Sequence, residues 1–284
     1  MYAQAYVGLA ETYNMQALYG WNRPSEVFPK AMDAANQALK IDPTLAEAHT
    51  ALGYAMERYL IKHQDSRREY EKAISLSSPI SDARGSVFHR YGVHLTGRGL
   101  FRDAIDMLLR AGDVDPLSQN IMAALAQPYL YSGEFEKAIQ VCGKTLREYP
   151  LYAPAYRYRG LAYEQQGNFI KAVADLEAAV KYSGDSPLMK GELGHVYASA
   201  GMRDKAISIL NELQQQRING YSSCYRIAQI YACLGDNSSA LKSLDQAVED
   251  KDPFLWYLGV DPIFSKKLGD EPRFKQLQDS LARR

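Results

Sequence analysis

Residues 142 to 149 read CGKTLREY, and Gly143-Lys144-Thr145 within them is the tail of a phosphate-binding loop. The full loop needs a glycine five residues before Gly143, so that bare backbone N–H groups can turn onto phosphate oxygens. That position holds Ala138. Other chemistry-bearing side chains are sparse. Among His49, His63, His89, His94 and His195 no pair has the i, i+4 spacing of a helix-borne metal site. Cys142, Cys224 and Cys233 are odd in number and irregularly spaced, which fits neither a disulfide framework nor a zinc site and favours a reducing compartment. There is no nucleophile-elbow serine and no glycine-rich dinucleotide turn. Asp103 and Asp106 stand at helical spacing and read as a solvated face rather than an acid–base pair. The sequence assigns no catalytic residue, no metal ligand and no cofactor.

Bulk properties narrow the partners. Lys plus Arg is 33 and Asp plus Glu is 33, so no overall charge draws the chain to nucleic acid or acidic lipid. The start, MYAQAYVGLAETY, lacks a basic n-region with a following apolar run, and no eighteen-residue apolar stretch occurs. Membrane insertion by this region is not expected. The expected compartment is the cytoplasm, or the periplasm if a membrane span lies upstream.

The elements that position these side chains repeat. Tyr129, Tyr163, Tyr197 and Tyr231 lie 34 residues apart, and Gly99, Gly133, Gly167, Gly201 and Gly235 keep the same step. That period is the signature of a helix-turn-helix array. Five gapless copies run over residues 85–118, 119–152, 153–186, 187–220 and 221–254. In each, the eighth position is small (Gly92, Ala126, Gly160, Gly194, Ala228), and so is the twentieth (Ala104, Ala138, Ala172, Ala206, Ala240). Small residues there let two helices approach closely. Positions four, seven, eight and eleven form one buried stripe. Glycine at fifteen suits a left-handed helix cap, and Pro116 and Pro150 stop the second helix. Two degenerate copies precede these, over about 3–45 and 46–84. They fit if about nine residues are inserted around NMQALYGWNRP and one near Lys62–Asp65.

The joint pattern of Gly or Ala at eight, Tyr at eleven, Ala at twenty and twenty-seven, and Pro at thirty-two resembles the tetratricopeptide repeat. The resemblance implies an all-α chain: a right-handed α-solenoid of about seven units over 1–254, followed by capping helices over 255–284. More narrowly, AYVGLAETY, KIDPTLAEAHTALGYA and VDPIFSKKLGDEPRFKQL resemble the C-terminal repeat region of multidomain bacterial signalling proteins. In that group an effector domain is fused upstream. Arg159 and Lys190 depart from the pattern at positions seven and four, and LIKHQDS stands where that group carries a tryptophan-rich insert.

In this frame Gly143, Lys144 and Thr145 fall inside a second helix, where each N–H is committed to a carbonyl four residues back. Cys142 and Thr145 are then core residues. After the seventh unit, DPIFSKKL and EPRFKQL repeat a motif in which Asp261 or Glu271 can cap a helix opening with proline. This tail is expected to cover the apolar face of the last unit. No comparable cap precedes Tyr2, which points to an origin as the end of something longer.

What the packing stripe leaves over is a groove. By family geometry the first helices line it with His89, Arg90, Val93, Gln127, Tyr131, Arg157, Tyr158, Leu161, Glu164, Glu192, His195, Tyr225, Arg226 and Gln229. Arginine and tyrosine are the residue types that carry interface hot spots. Position five reads His89, Ala123, Arg157, Gly191 and Tyr225, so the carboxylate-clamping lysine of chaperone-type relatives is missing. Two functions stay open: a non-enzymatic scaffold that binds a protein segment in the groove, and a small-ligand sensor or enzyme that uses the groove as a pocket.

Overall fold

The 34-residue period is realised as a run of helix pairs. The computed structural model describes residues 2–78 and 82–282. Within it α1 (Ala3–Leu18) packs on α2 (Pro24–Ile41), α3 (Ala46–Ala55) on α4 (His63–Leu76), and α5 (Asp82–Gly97) on α6 (Phe101–Val114). The next first helix is broken into α7 (Gln119–Ala124) and α8 (Ala126–Tyr131), which pack on α9 (Phe135–Glu148). Pro128 explains the break: it has no N–H to give the Ala124 carbonyl. Then α10 (Ala153–Gln165) packs on α11 (Phe169–Tyr182), α12 (Pro187–Ser199) on α13 (Arg203–Asn219), and α14 (Cys224–Leu234) on α15 (Asn237–Glu249). A 3-10 turn (Pro253–Tyr257), α16 (Pro262–Leu268) and α17 (Pro272–Ala282) complete the chain. The expected second unit runs through 79–81, which lie outside the described residues. Among the described residues no strand occurs and no helix is long and apolar enough to cross a membrane.

Local chemistry accounts for the joints. Gly99, Gly133, Gly167, Gly201 and Gly235 all adopt φ between 73° and 85°, the left-handed region a side chain resists. Second helices open on side-chain caps at Asn168 and Asp236, which accept from the N–H of Lys171 and Ser239. The small eighth position is a true close approach: a Cβ on Gly160 would lie 3.0 Å from Leu176 Cγ, and one on Gly194 2.7 Å from Ile230 Cδ1. Ala138, Cys142 and Thr145 are buried along one face of α9, so the lysine-threonine stretch is helix interior. The two departures from the repeat pattern are compensated. Arg159 forks onto Asp175 at 2.7 and 2.8 Å, and Lys190 reaches Glu212 at 2.5 Å.

Both insertions have a structural fate. The extra residue before α4 is absorbed by a π-helical turn, Met56–Leu60, which takes one more residue per turn than an α-helix. Ile61 ends it at φ 54° and joins the apolar cluster of the C-terminal tail. The long insertion between α1 and α2 bridges the array. Gly20 packs on Pro187, Leu18 and Tyr19 join the cluster around Leu188, and Arg23 Nη2 donates to the Gly220 carbonyl at 2.9 Å. The first helix pair thereby touches the sixth, and the solenoid returns on itself.

Candidate binding groove

The first helices turn their inner faces toward one another, and the tail runs between them. Tyr257 stacks on Tyr131 at 5.2 Å and 14°, and its hydroxyl donates to Gln127 Oε1 at 3.1 Å. Arg58, on the π turn, donates to the Tyr257 hydroxyl at 3.0 Å and to the Pro253 carbonyl at 3.3 Å. Trp256 lies 4.8 Å from the His63 ring and 5.0 Å from that of His94, over Gly97, where any side chain would collide with it. Phe254 sits 4.1 Å beneath the Arg226 guanidinium. Asp261 Oδ2 accepts from the Tyr225 hydroxyl at 2.6 Å and from Gln229 Nε2 at 2.7 Å. Lys266 reaches Gln165 at 2.7 Å. One short segment therefore touches α5, α8, α10 and α14 and the turn after α3.

This arrangement corrects the expectation that the groove residues are free. His89, Val93, Gln127, Arg157, Tyr158, Leu161, Glu164, Glu192, His195, Tyr225, Arg226 and Gln229 are buried, and Arg90 and Tyr131 are half-buried. The physical reason is twofold: the array closes on itself, and the tail occupies the space a ligand would enter. His89 and His195 are not surface histidines. The tail likewise does more than the expected capping. Phe264, Leu268, Phe274, Leu277 and Leu281 do cover the apolar side of α14 and α15, but residues 253–261 leave that end and thread the interior.

Charge inside the groove is largely paired. Arg157 grips Glu192 through two hydrogen bonds of 2.5 and 2.6 Å, and Arg226 reaches the same carboxylate at 2.9 Å. Burial alone would raise the Glu192 carboxyl, but Arg157 and Arg226 overcome it and hold the pKa below the ordinary value. Glu164 is balanced in the same way, burial being outweighed by His195 at 3.2 Å and Ser199 at 2.7 Å. Asp252 and Asp261 go the other way. Burial dominates and lifts both above the usual range, although each accepts several hydrogen bonds. Burial, with the neighbouring Arg90 charge, pushes His89 down to about 3, so it is neutral.

Between the first helices remains a cavity of about 130 Å³, lined by residues of first helices from α1 to α12 and by Phe254 and Tyr257 of the tail. Three arginines line it: Arg58, Arg90 and Arg157. Arg58 is backed by Glu57 at 2.7 Å and Arg157 by Glu192. Arg90 lies over the Tyr54 ring at 4.7 Å and has no carboxylate partner among the described residues.

Sequence reasoning missed Arg58, Glu57, Asp252 and Tyr257. Glu57 is fully buried and gathers Arg58, His94 Nδ1 at 2.9 Å and the Tyr70 hydroxyl at 3.2 Å. The one available signal was Asp261, read as a helix cap. It does accept from the Ile263 N–H at 2.9 Å, and its second oxygen is the one that anchors the tail. Among the described residues no cluster of three potential metal ligands forms.

Fold and groove define a helical-repeat binding solenoid. The tetratricopeptide-repeat family models match residues 123–187 and 159–221, and again 221–249. Residues 123–249 carry tetratricopeptide repeats, and such repeats mediate protein–protein interaction. Superkiller complex protein 3 of Homo sapiens is similar at 23% identity over 264 residues, 88% of this chain. That stretch spans 16% of the human protein's length. A tetratricopeptide repeat protein from Parabacteroides merdae aligns over 98% of this chain and 99% of its own, with TM-score 0.53 and 16% identity. The Cut9–Hcn1 hetero-tetramer of the APC/C aligns over 96% of this chain and 54% of that one, with TM-score 0.62 and 14% identity. At these identities the structural likeness concerns the fold.

Proposed function

We propose that this chain is a non-enzymatic scaffold that binds a protein segment along its first helices, and that it serves as the partner-binding or sensing arm of a larger bacterial signalling protein in the cytoplasm. One observation carries the reading: the groove already holds a polypeptide segment, residues 253–261 of its own chain, through a stacked tyrosine, a buried aspartate and backbone contacts. These are the elements of peptide recognition, with aromatic anchors in pockets and polar groups fixing register. A partner segment of similar chemistry, an aromatic followed by an acidic residue, competes with the tail for Tyr131, Gln127, Tyr225 and Gln229. The upstream effector domain is part of the proposal and rests on the resemblance of AYVGLAETY and VDPIFSKKLGDEPRFKQL to that group.

The test keeps the full chain and loosens the tail. Tyr257→Ala with Asp261→Asn removes both anchors. Binding of a labelled peptide, PFLWYLGVDPIF, is then followed by fluorescence polarisation. Saturable binding to the double variant, much weaker binding to the wild type, and loss on adding Gln229→Ala are expected. If neither protein binds the peptide, the groove is no segment-binding surface and the small-ligand reading takes its place.

A further inference from the structure

The cavity between the first helices is chemically one-sided. Among the described residues no aspartate or glutamate lines it, whereas Arg58, Arg90 and Arg157 all do. Glu57 and Glu192 neutralise two of these from behind the wall, outside the cavity lining. Arg90 has no such counter-ion among the described residues; its guanidinium lies over the Tyr54 ring and donates to Met15 Sδ at 4.0 Å. Tyr54 is 2% exposed, and its hydroxyl is a buried polar group with no hydrogen-bond partner among the described residues. A half-buried charge without a counter-charge and a buried hydroxyl without a partner are both costly, and both residues line this one cavity. The neighbouring His89 is neutral and adds no competing charge. Leu18, Leu188 and Met189 add apolar lining.

We propose that this cavity is a binding site for a small organic oxyanion, a phosphate monoester or a carboxylate carrying a ring or short apolar group. The guanidinium of Arg90 presents paired N–H donors that match an oxyanion, and the Tyr54 hydroxyl supplies a further donor. The size is appropriate, since the cavity is close to the roughly 150 Å³ that accommodates a benzene ring in another protein. Phe254 and Tyr257 are part of the lining, so the site is complete only with the tail in place. The inference is therefore independent of segment binding, which requires the tail to leave.

The full-length chain is titrated by calorimetry with phenyl phosphate and with benzoate at low ionic strength. One-to-one saturable binding of at least one is expected, with a raised thermal midpoint, and the preferred probe tells phosphate from carboxylate. Arg90→Gln is expected to weaken that binding about tenfold or more, because a charge-assisted pair is lost. Tyr54→Phe, which keeps the ring and hence the packing, is expected to weaken it about threefold or more through the hydroxyl alone. The second variant decides the matter if Arg90→Gln does not fold. No saturable heat with either probe, or binding by both variants at wild-type strength, overturns the proposal.

Discussion

The Tyr257 hydroxyl donates to Gln127 Oε1 at 3.1 Å across a sequence separation of 130 residues, while Arg58 Nη2 donates to the same hydroxyl from 199 residues away. One phenol thus ties the second and fourth units to the tail. Tyr257→Phe keeps the stack on Tyr131 but strands a buried arginine donor and a buried amide oxygen. It is expected to cost about 1–3 kcal/mol in urea denaturation. Combining it with Gln127→Leu should cost less than the two single changes summed, since each already breaks the shared bond. Strict additivity would mean the bond is absent in solution.

Arg157 lies on the inner face that the packing stripe leaves over, a position that by itself suggests no role in stability. Instead it closes a two-pronged ion pair with the fully buried Glu192. Arg157→Ala leaves that carboxylate with Arg226 alone. A loss of about 1–3 kcal/mol is expected, less than the full cost of stranding a buried charge because Arg226 stays in place. A melting temperature equal to wild type would return Arg157 to the surface.

The contrast shows what could be read from the chain and what could not. The 34-residue frame was legible because helix pairing repeats the same local packing, so Gly160 and Ala172 recur at fixed positions. Gly143 and Thr145 could be placed inside a helix for the same reason. The positions facing inward were also legible, since they are those the stripe leaves over. Their accessibility was not, because it depends on contacts such as Tyr257 with Gln127 and Arg23 with Gly220, which join distant residues once only and leave no period. Asp261 illustrates the boundary: its capping oxygen follows from the adjacent proline, its anchoring oxygen from the three-dimensional path alone.

Where the frame is legible it makes a demanding forecast. Gly160 faces Leu176 and the Ala172 carbonyl at 3.0 and 3.2 Å from an added Cβ, and Gly194 faces Ile230 and Ile209 at 2.7 and 2.9 Å. Gly160→Leu and Gly194→Leu are each expected to cost about 1–3 kcal/mol or more by overpacking. At Gly133, where an added Cβ would meet nothing within 4 Å among the described residues, the cost comes instead from φ 85°: Gly133→Ala should lower stability by about 1 kcal/mol through backbone strain alone. Equal melting temperatures for all three variants and the wild type would overturn the pairing.

The helical setting of Gly143, Lys144 and Thr145 carries its own forecast. Their backbone N–H groups are spent inside α9, so ATP with magnesium should give no saturable heat that Lys144→Ala abolishes. Heat that disappears with the lysine would reopen a phosphate site there.

Acid should destabilise this protein through two histidines that burial, full or partial, keeps from taking up a proton. In the fold His89 is held down to about 3 by burial and by Arg90, and His63 to about 4 by burial and by Arg98, against an ordinary value of 6.5. As pH falls below 6.5 the unfolded chain takes up a proton at each of these sites while the folded chain refuses it, so stability is lost from there down to the folded pKa. Each histidine contributes a slope approaching about 1.4 kcal/mol per pH unit in that window. Asp252 and Asp261 oppose the trend. Their folded pKa values are raised, so near and above 3.8 the folded chain binds the extra proton and gains stability as pH falls. Denaturation midpoints measured between about pH 7 and pH 4.5 should therefore decline, and His89→Gln should remove a large part of the decline while leaving neutral-pH stability nearer to wild type. A variant whose midpoint falls with pH as steeply as the parent would show that His89 is protonated within the fold, and the burial assigned to it would have to be withdrawn.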